Sequence, residues 1–414
     1  MDTSPEDLEF SGKLDSLRHP DNTTNFLFIG RAWLVIVVTI GGFILFDFWR
    51  AQSGLSLLWN IPLWLIAVVV IGASQHQLAG GGHEGTHFNL FRNRSMNELL
   101  SDWLCMFPIL TSTAIYRKQH LAHHKHVNDP EQDPDLAQLH SSKHDFNFPL
   151  GPKQVVRLFL RQLWIPNLIR YTVHRARYSA VGIESRFSRN SVTNLLFFPY
   201  TFILFATLGL LAHLEVSHSL FYPATAAVAG IAWLSKCLIG ATAQRKVNPA
   251  EPVEARPTKG SVQRFVHITA VLLSLTLLHV YTGLESLVYF VALWLIPLVT
   301  SFSFFMMLRQ TIQHGNCDRE QFSNTRVFLV NPILRYAIFP FGMDYHLPHH
   351  LYAGVPHYRL HELHKLLSDQ PAYCRPGFMV EGFFTSPART DSDPDIPTLV
   401  SALGPEYSPN GTDT

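Results

Sequence analysis

Apolar residues along this chain gather into six blocks, at about 32–48, 55–79, 195–214, 220–241, 266–282 and 285–308. Each is close to the ~20 residues that a helix needs to cross a hydrocarbon core. The second block tolerates Asn60 and Pro62 and runs through Gly80, Gly81 and Gly82 into a histidine motif. A seventh apolar stretch, Glu98–Tyr116, is short and holds Asp102 and Pro108. It reads as an in-plane or re-entrant helix, because a true crossing there would place motifs that must meet on opposite membrane faces. The pattern predicts an all-α integral membrane protein of about six transmembrane helices.

Charge fixes the direction of the crossings. The turns EVSHS and TGLES carry no Lys or Arg, and Arg50 is the single basic residue in the three turns of that face. Basic residues are dense in 83–191 and 309–389 instead. By the positive-inside rule those segments lie in the cytosol, where they form a helical cap. The expected site is a bacterial inner membrane or the endoplasmic reticulum. Residues 1–25 are polar with early acids, unlike a signal peptide, and read as a cytosolic tail. Residues 26–370 form the membrane domain, and 371–414 read as a polar, disordered tail. Sequons at Asn22, Asn93 and Asn410 would then lie on the unglycosylated face. Lys236, near the cytosolic end of the fourth block, is expected to snorkel.

Composition agrees: 47% of residues are hydrophobic, 15% are charged and the net charge is +1, so no basic field points to nucleic acid. The four cysteines show no paired spacing, which excludes a disulfide framework, a zinc ribbon and an iron–sulfur motif.

The chemistry lies in three histidine motifs: HEGTH with His83 and His87, HLAHH with His120, His123 and His124, and HLPHH with His346, His349 and His350. On a helix, spacings of three and four put imidazoles on one face, which suits ligands sharing a metal. Eight histidines exceed what one tetrahedral zinc uses, so two metal ions follow, and iron is the metal most in need of many nitrogen donors.

The series H-x3-H, H-x2-H-H, H-x2-H-H resembles the membrane fatty acid desaturase superfamily, which includes related hydroxylases and ketolases. HLAHHKHVNDPEQDPD (120–135) and MDYHLPHHLYAGVPHYRLHELHKLL (343–367) extend the likeness, which covers about residues 26–370. The resemblance implies that the eight box histidines bind two iron ions. It implies O2 as co-substrate and a fatty acyl substrate threaded from the lipid bilayer. The outcome would be desaturation, with hydroxylation, ketolation and oxidative decarboxylation open on the same scaffold. No fused electron-transfer segment is visible, so a separate ferredoxin, rubredoxin or cytochrome b5 type protein is the expected donor. His314, just past the last block in an Arg309–His314 pattern similar to the family's, is the expected ninth ligand, and Gln310 can ligate or hold a water. Pro348 falls where the family often has Glu. It should let His349 and His350 open a helix, with His346 on the preceding turn.

Metal-bound histidines usually pass their second nitrogen to a carboxylate or carbonyl. Glu84, Asp129, Asp133, Asp135 and Asp344 are candidates, with His126 as a further supporting or ligating group. His76, His357, His361 and His364 are expected to be structural. Two other classes compete. HEGTH fits the His-Glu-x-x-His signature of an intramembrane zinc protease with Glu84 as base, but such a site has no use for two further triads. A metal-binding channel or transporter would need polar residues lining its crossings.

Overall fold

The computed structural model describes residues 5–144, 152–182, 189–213 and 259–370, with 373 and 379–381. It is helical apart from one short parallel strand pair, Val327–Leu329 with Met379–Glu381. Helix α1 is Pro5–Leu17, α2 Thr24–Gln52, α3 Asn60–Thr86, α4 Arg94–Ser101 and α5 Thr113–Lys125. There follow α6 (Pro134–Ser141), α7 (Pro152–Gln162), α8 (Ile165–Ala176), α9 (Arg189–His213) and α10 (Lys259–Thr282). The last apolar rod is α11 (Ser286–Phe290), a π turn at Val291–Leu295, α12 (Ile296–Val299) and α13 (Ser301–His314). The cap closes with α14 (Pro332–Ile338), α15 (His346–Leu351) and α16 (Leu360–Leu367).

Among the described residues, five helices are long and apolar enough to cross a membrane: Thr24–Gln52, Leu57–Thr86, Leu196–His213, Gln263–Thr282 and Ser286–His314. They match five of the six blocks. The block at 220–241, with Lys236, lies outside the described residues. On α2, Leu34, Val37, Val38 and Leu45 are each more than 60% exposed, while Ile29, Ala32 and Ile36 are buried. The exposed row is a lipid-facing surface, and the buried row packs on α3 and Trp294. The segment at 98–116 is a broken hairpin: α4, a π turn at Asp102–Met106, then α5. Trp33 and Trp294 donate indole N–H to the Leu104 and Pro108 carbonyls (2.9 and 3.0 Å), pinning it to the crossing helices.

Helix α3 organises the rest. From Ile71 to Thr86 every residue is buried, so neighbours cover that half on all sides. The small residues there permit close approach: a Cβ at Gly82 would strike Met106, and one at Gly85 would strike Ser101. Asp47, within α2, is held by Arg50 (2.6 Å), Asn60 (2.7 Å) and Tyr289 (2.6 Å), which satisfies an acid in an apolar segment.

Two terminal expectations change. The N-terminal segment includes a helix, and Leu14 and Leu17 are buried against Leu347, Leu360, Leu363 and Leu367. Phe10, Leu14 and Leu17 recur at helical spacing, and full burial of such a leucine is worth about 1.5–3 kcal/mol. At the other end, Met379–Glu381 leaves the supposed disordered tail and pairs in register with Val327–Leu329.

Candidate metal centre

The three boxes and His314 converge. His83 lies in the last turn of α3 and His87 is the residue that ends it. His120, His123 and His124 share α5, and His314 closes α13. The third box differs in detail from expectation: α15 begins at His346, so all three histidines share one short helix. Pro348 sits in its first turn, where a backbone N–H has no intrahelical partner to lose.

These nine side chains sort into two groups that can each hold a metal ion. His83, His87, His120, His124 and His349 form the first, and His123, His314, His346 and His350 the second. Within each, the ligating atoms lie within 4.8 Å of one another. In the first, Nε2 atoms step from His87 to His120 (2.8 Å), to His124 (3.0 Å) and to His349 (3.1 Å). In the second, His346 Nε2 lies 3.0 Å from His314 and 3.1 Å from His350. The groups adjoin, since the His124 and His350 rings stack at 4.3 Å.

The donor set fits metal ions. Metal–nitrogen bonds of about 2.1 Å put adjacent octahedral ligands about 3 Å apart, the separation seen here. A neutral imidazole has one N–H, so His120 Nε2 cannot satisfy both His87 and His124 by hydrogen bonding alone. His83 retains both ring nitrogens buried and without a hydrogen-bond partner. Burial pushes His120, His124, His346, His349 and His350 well below the ordinary imidazole range, with neighbouring histidines adding to it. Burial and then Arg117 bring His87 down to about 3. Neutral, lone-pair-bearing rings are what a cation requires. His123 is different: burial pushes it down, but Asp133 and Asp135 carry it up to about 9.

Supporting residues separate clearly. Asp133 holds His123 Nδ1 with both oxygens (3.0 and 3.1 Å), accepts the Asn128 N–H (2.9 Å), and caps α6 through the Asp135 N–H (2.9 Å). Asp135 takes a hydrogen bond from Gln119 (2.8 Å) and lies in the same group as His123. His314 Nδ1 meets the Asn324 carbonyl (3.0 Å), which also receives the Asn128 amide (2.9 Å). Glu84 is fully buried, with Oε2 accepting the His357 N–H (2.9 Å) and Oε1 3.5 Å from His83 Nδ1. Asp129 organises its own turn through Glu131 and Gln132 and pairs with Arg319 (3.4 Å). Asp344 pairs with Arg335 (2.8 Å), and burial pushes its carboxyl up to about 6. His126 ends α5. Gln310 accepts from the Tyr171 hydroxyl (2.9 Å) and belongs to neither histidine group.

The four structural histidines each have a partner. His76 meets the Ala337 carbonyl (2.9 Å), His357 the Asn25 side chain (2.7 Å), His361 the Tyr345 hydroxyl (2.8 Å) and His364 the Tyr373 hydroxyl (2.7 Å). Sequence reasoning passed over Asn25, Asn324 and Tyr116. Asn324 acts through a backbone carbonyl, which no side-chain motif advertises. Tyr116 stacks on His120 (5.4 Å) one helical turn before the box, a spacing that could have flagged it.

Comparison with known proteins now bears on the same segments. The family model described as fatty acid desaturase matches residues 62–238 and 218–380. Dihydrorhizobitoxine desaturase of Bradyrhizobium elkanii is 23% identical over 393 residues, covering 91% of this chain and 84% of that protein.

Proposed function

The chain belongs to the fatty acid desaturase family and is an oxidoreductase associated with a membrane, and from that premise we propose that it is an O2-dependent di-iron desaturase of an alkyl chain. The convergence of nine histidines into groups of five and four carries this reading. The first group would hold one iron and the second the other. Bound irons supply the oxidising power to activate O2 and remove hydrogen from an unactivated C–H bond. The chain's own residues orient and shield. Asp133 and the Asn324 carbonyl fix the rings of His123 and His314, and the apolar packing around α3 keeps water out. The relative's name denotes a desaturase, which supports desaturation over hydroxylation, ketolation or oxidative decarboxylation. Electrons would come from a ferredoxin, rubredoxin or cytochrome b5 type donor. The Lys/Arg distribution supports a cytosolic location for the histidine cap.

Glu84 weighs against the zinc protease alternative: its Oε2 is engaged by the His357 N–H and its Oε1 lies 3.5 Å from His83 Nδ1, so the carboxylate is tied into the packing, whereas a general base must reach a reacting water. The test is metal analysis of purified full-length protein together with product analysis in a host expressing it. About two irons per chain and an alkene that keeps every carbon of the substrate are expected, since oxidative decarboxylation would give an alkene one carbon shorter. One zinc without iron would overturn the proposal, as would a hydroxylated product with no alkene.

A further inference from the structure

Two arginines lie deep in the protein on the bilayer side of the histidines. Arg309 sits on α13, five residues before His314, an axial rise of about 7.5 Å. Arg175 is in the last turn of α8. The Nε atoms of both are buried without a hydrogen-bond partner. Arg175 places its guanidinium over the Phe302 ring at 4.7 Å, and Arg309 donates to Met306 Sδ at 3.0 Å. Both side chains are partly buried rather than fully enclosed. The two guanidinium charges act on each other and on Tyr116 and Tyr171. Tyr116 lies near Arg309 and stacks on His120 at 5.4 Å.

Among the described residues neither arginine forms a salt bridge. The nearby acid Asp135 is engaged by Gln119 and grouped with His123. Two buried like charges with a thioether, a ring face and phenols as neighbours are costly unless an anion joins them. A guanidinium fork matches a carboxylate in two-point geometry.

We propose that Arg175 and Arg309, with Tyr116 beside them, bind the free carboxylate of the substrate next to the metal centre. The substrate is then a free acid rather than a thioester or glycerolipid ester, and the carbon oxidised lies near its carboxyl end. This rests on the desaturase reading and narrows its substrate class.

The test compares hexanoate with its neutral methyl ester, binding each to metal-loaded full-length protein in nanodiscs by calorimetry. Hexanoate should bind at least tenfold more tightly than methyl hexanoate. Arg175→Gln and Arg309→Gln should each remove about tenfold or more from hexanoate binding and leave the ester unchanged, the scale of a charge-assisted hydrogen bond. Arg309→Lys should restore part of the loss. Metal content, measured on the same samples, should stay at the wild-type level. Equal binding of acid and ester by the wild-type protein would overturn the inference without needing any variant. So would Gln variants that fold, keep metal and hold hexanoate undiminished, since the carboxylate would then sit on the metals. Acid selectivity with no iron and no alkene would instead strike the desaturase reading alone. Oxidation of a neutral acyl ester with no acid selectivity would strike this inference alone.

Discussion

The two histidine groups are built from the same three boxes but are supported differently. In the four-membered group, His123 rests on the Asp133 carboxylate and His314 on the Asn324 carbonyl, each at about hydrogen-bond distance. In the five-membered group the nearest carboxylate to a ring nitrogen is Glu84, 3.5 Å from His83 Nδ1, beyond a good hydrogen bond. An unpartnered buried Nδ1 does not separate the groups, since His349 has one and so has His346 of the four-membered group. One group thus has fewer donors with firmer backing, and the other has more donors held chiefly by packing. A carboxylate behind an imidazole makes it a stronger donor and fixes its tautomer. The four-membered group should therefore depend on its carboxylate, and the five-membered group on its number of rings and on the fit of α3.

Removing a ring from either group gives the largest effect. His124→Ala should empty the five-membered group and His346→Ala the four-membered one, each leaving about one iron of two and no detectable product. Iron content and product formation with an external electron donor check this. If either substitution released both metals, the groups would be a single cooperative site, and the contrast between them would collapse.

Asp133→Ala comes next. It removes the carboxylate behind His123 and also the cap of α6, so a loss of about 10–100-fold in metal affinity is expected. The loss should fall on one of the two irons. Asp133→Asn, whose one amide oxygen can still cap α6 through the Asp135 N–H while its NH2 faces the Asn128 N–H, separates the two roles: metal affinity should fall while helix content by circular dichroism stays. A matched loss at both irons would contradict the division drawn here.

How far this could be seen in the sequence depends on the kind of signal. The boxes were legible because ligands at spacings of three and four must share a helical face, and the crossings because lipid demands long apolar runs. The division of HLAHH was not legible. His120 and His124 go to one group and His123 to the other, because adjacent positions on a helix point about 100° apart and only the packing of α5 against α13 and α15 decides what each meets. The acids around box two looked equivalent in sequence, yet Asp133 backs a ring while Asp129 shapes a turn. That choice is made by the bend at Asn128, which takes a left-handed φ of 59°. The helix within the N-terminal segment is not legible in the sequence, because four apolar residues, Leu8, Phe10, Leu14 and Leu17, in a polar segment carry little weight until a partner surface exists. Arg175 gave no signal at all, since it is one basic residue among many in 83–191.

The smallest effect is expected at Glu84. In a protease its carboxylate would be the base that activates water, and Glu84→Gln would remove nearly all turnover with metal intact. Here Oε2 accepts the His357 N–H and Oε1 stands 3.5 Å from His83 Nδ1, so the side chain ties α3 to the segment after box three. Glutamine keeps an acceptor oxygen and the same shape, so the tie to His357 can persist. What changes is the polarisation of His83, one ring of five. The loss of activity should therefore sit at the low end of the range for supporting residues, about tenfold. It should be clearly smaller than for Asp133→Ala, and both irons should remain. Product formation and iron content on matched samples of the two variants give the ranking. A Glu84→Gln protein that holds two irons yet is as dead as His124→Ala would reverse it, and would mean that this carboxylate acts in the reaction rather than in positioning His83.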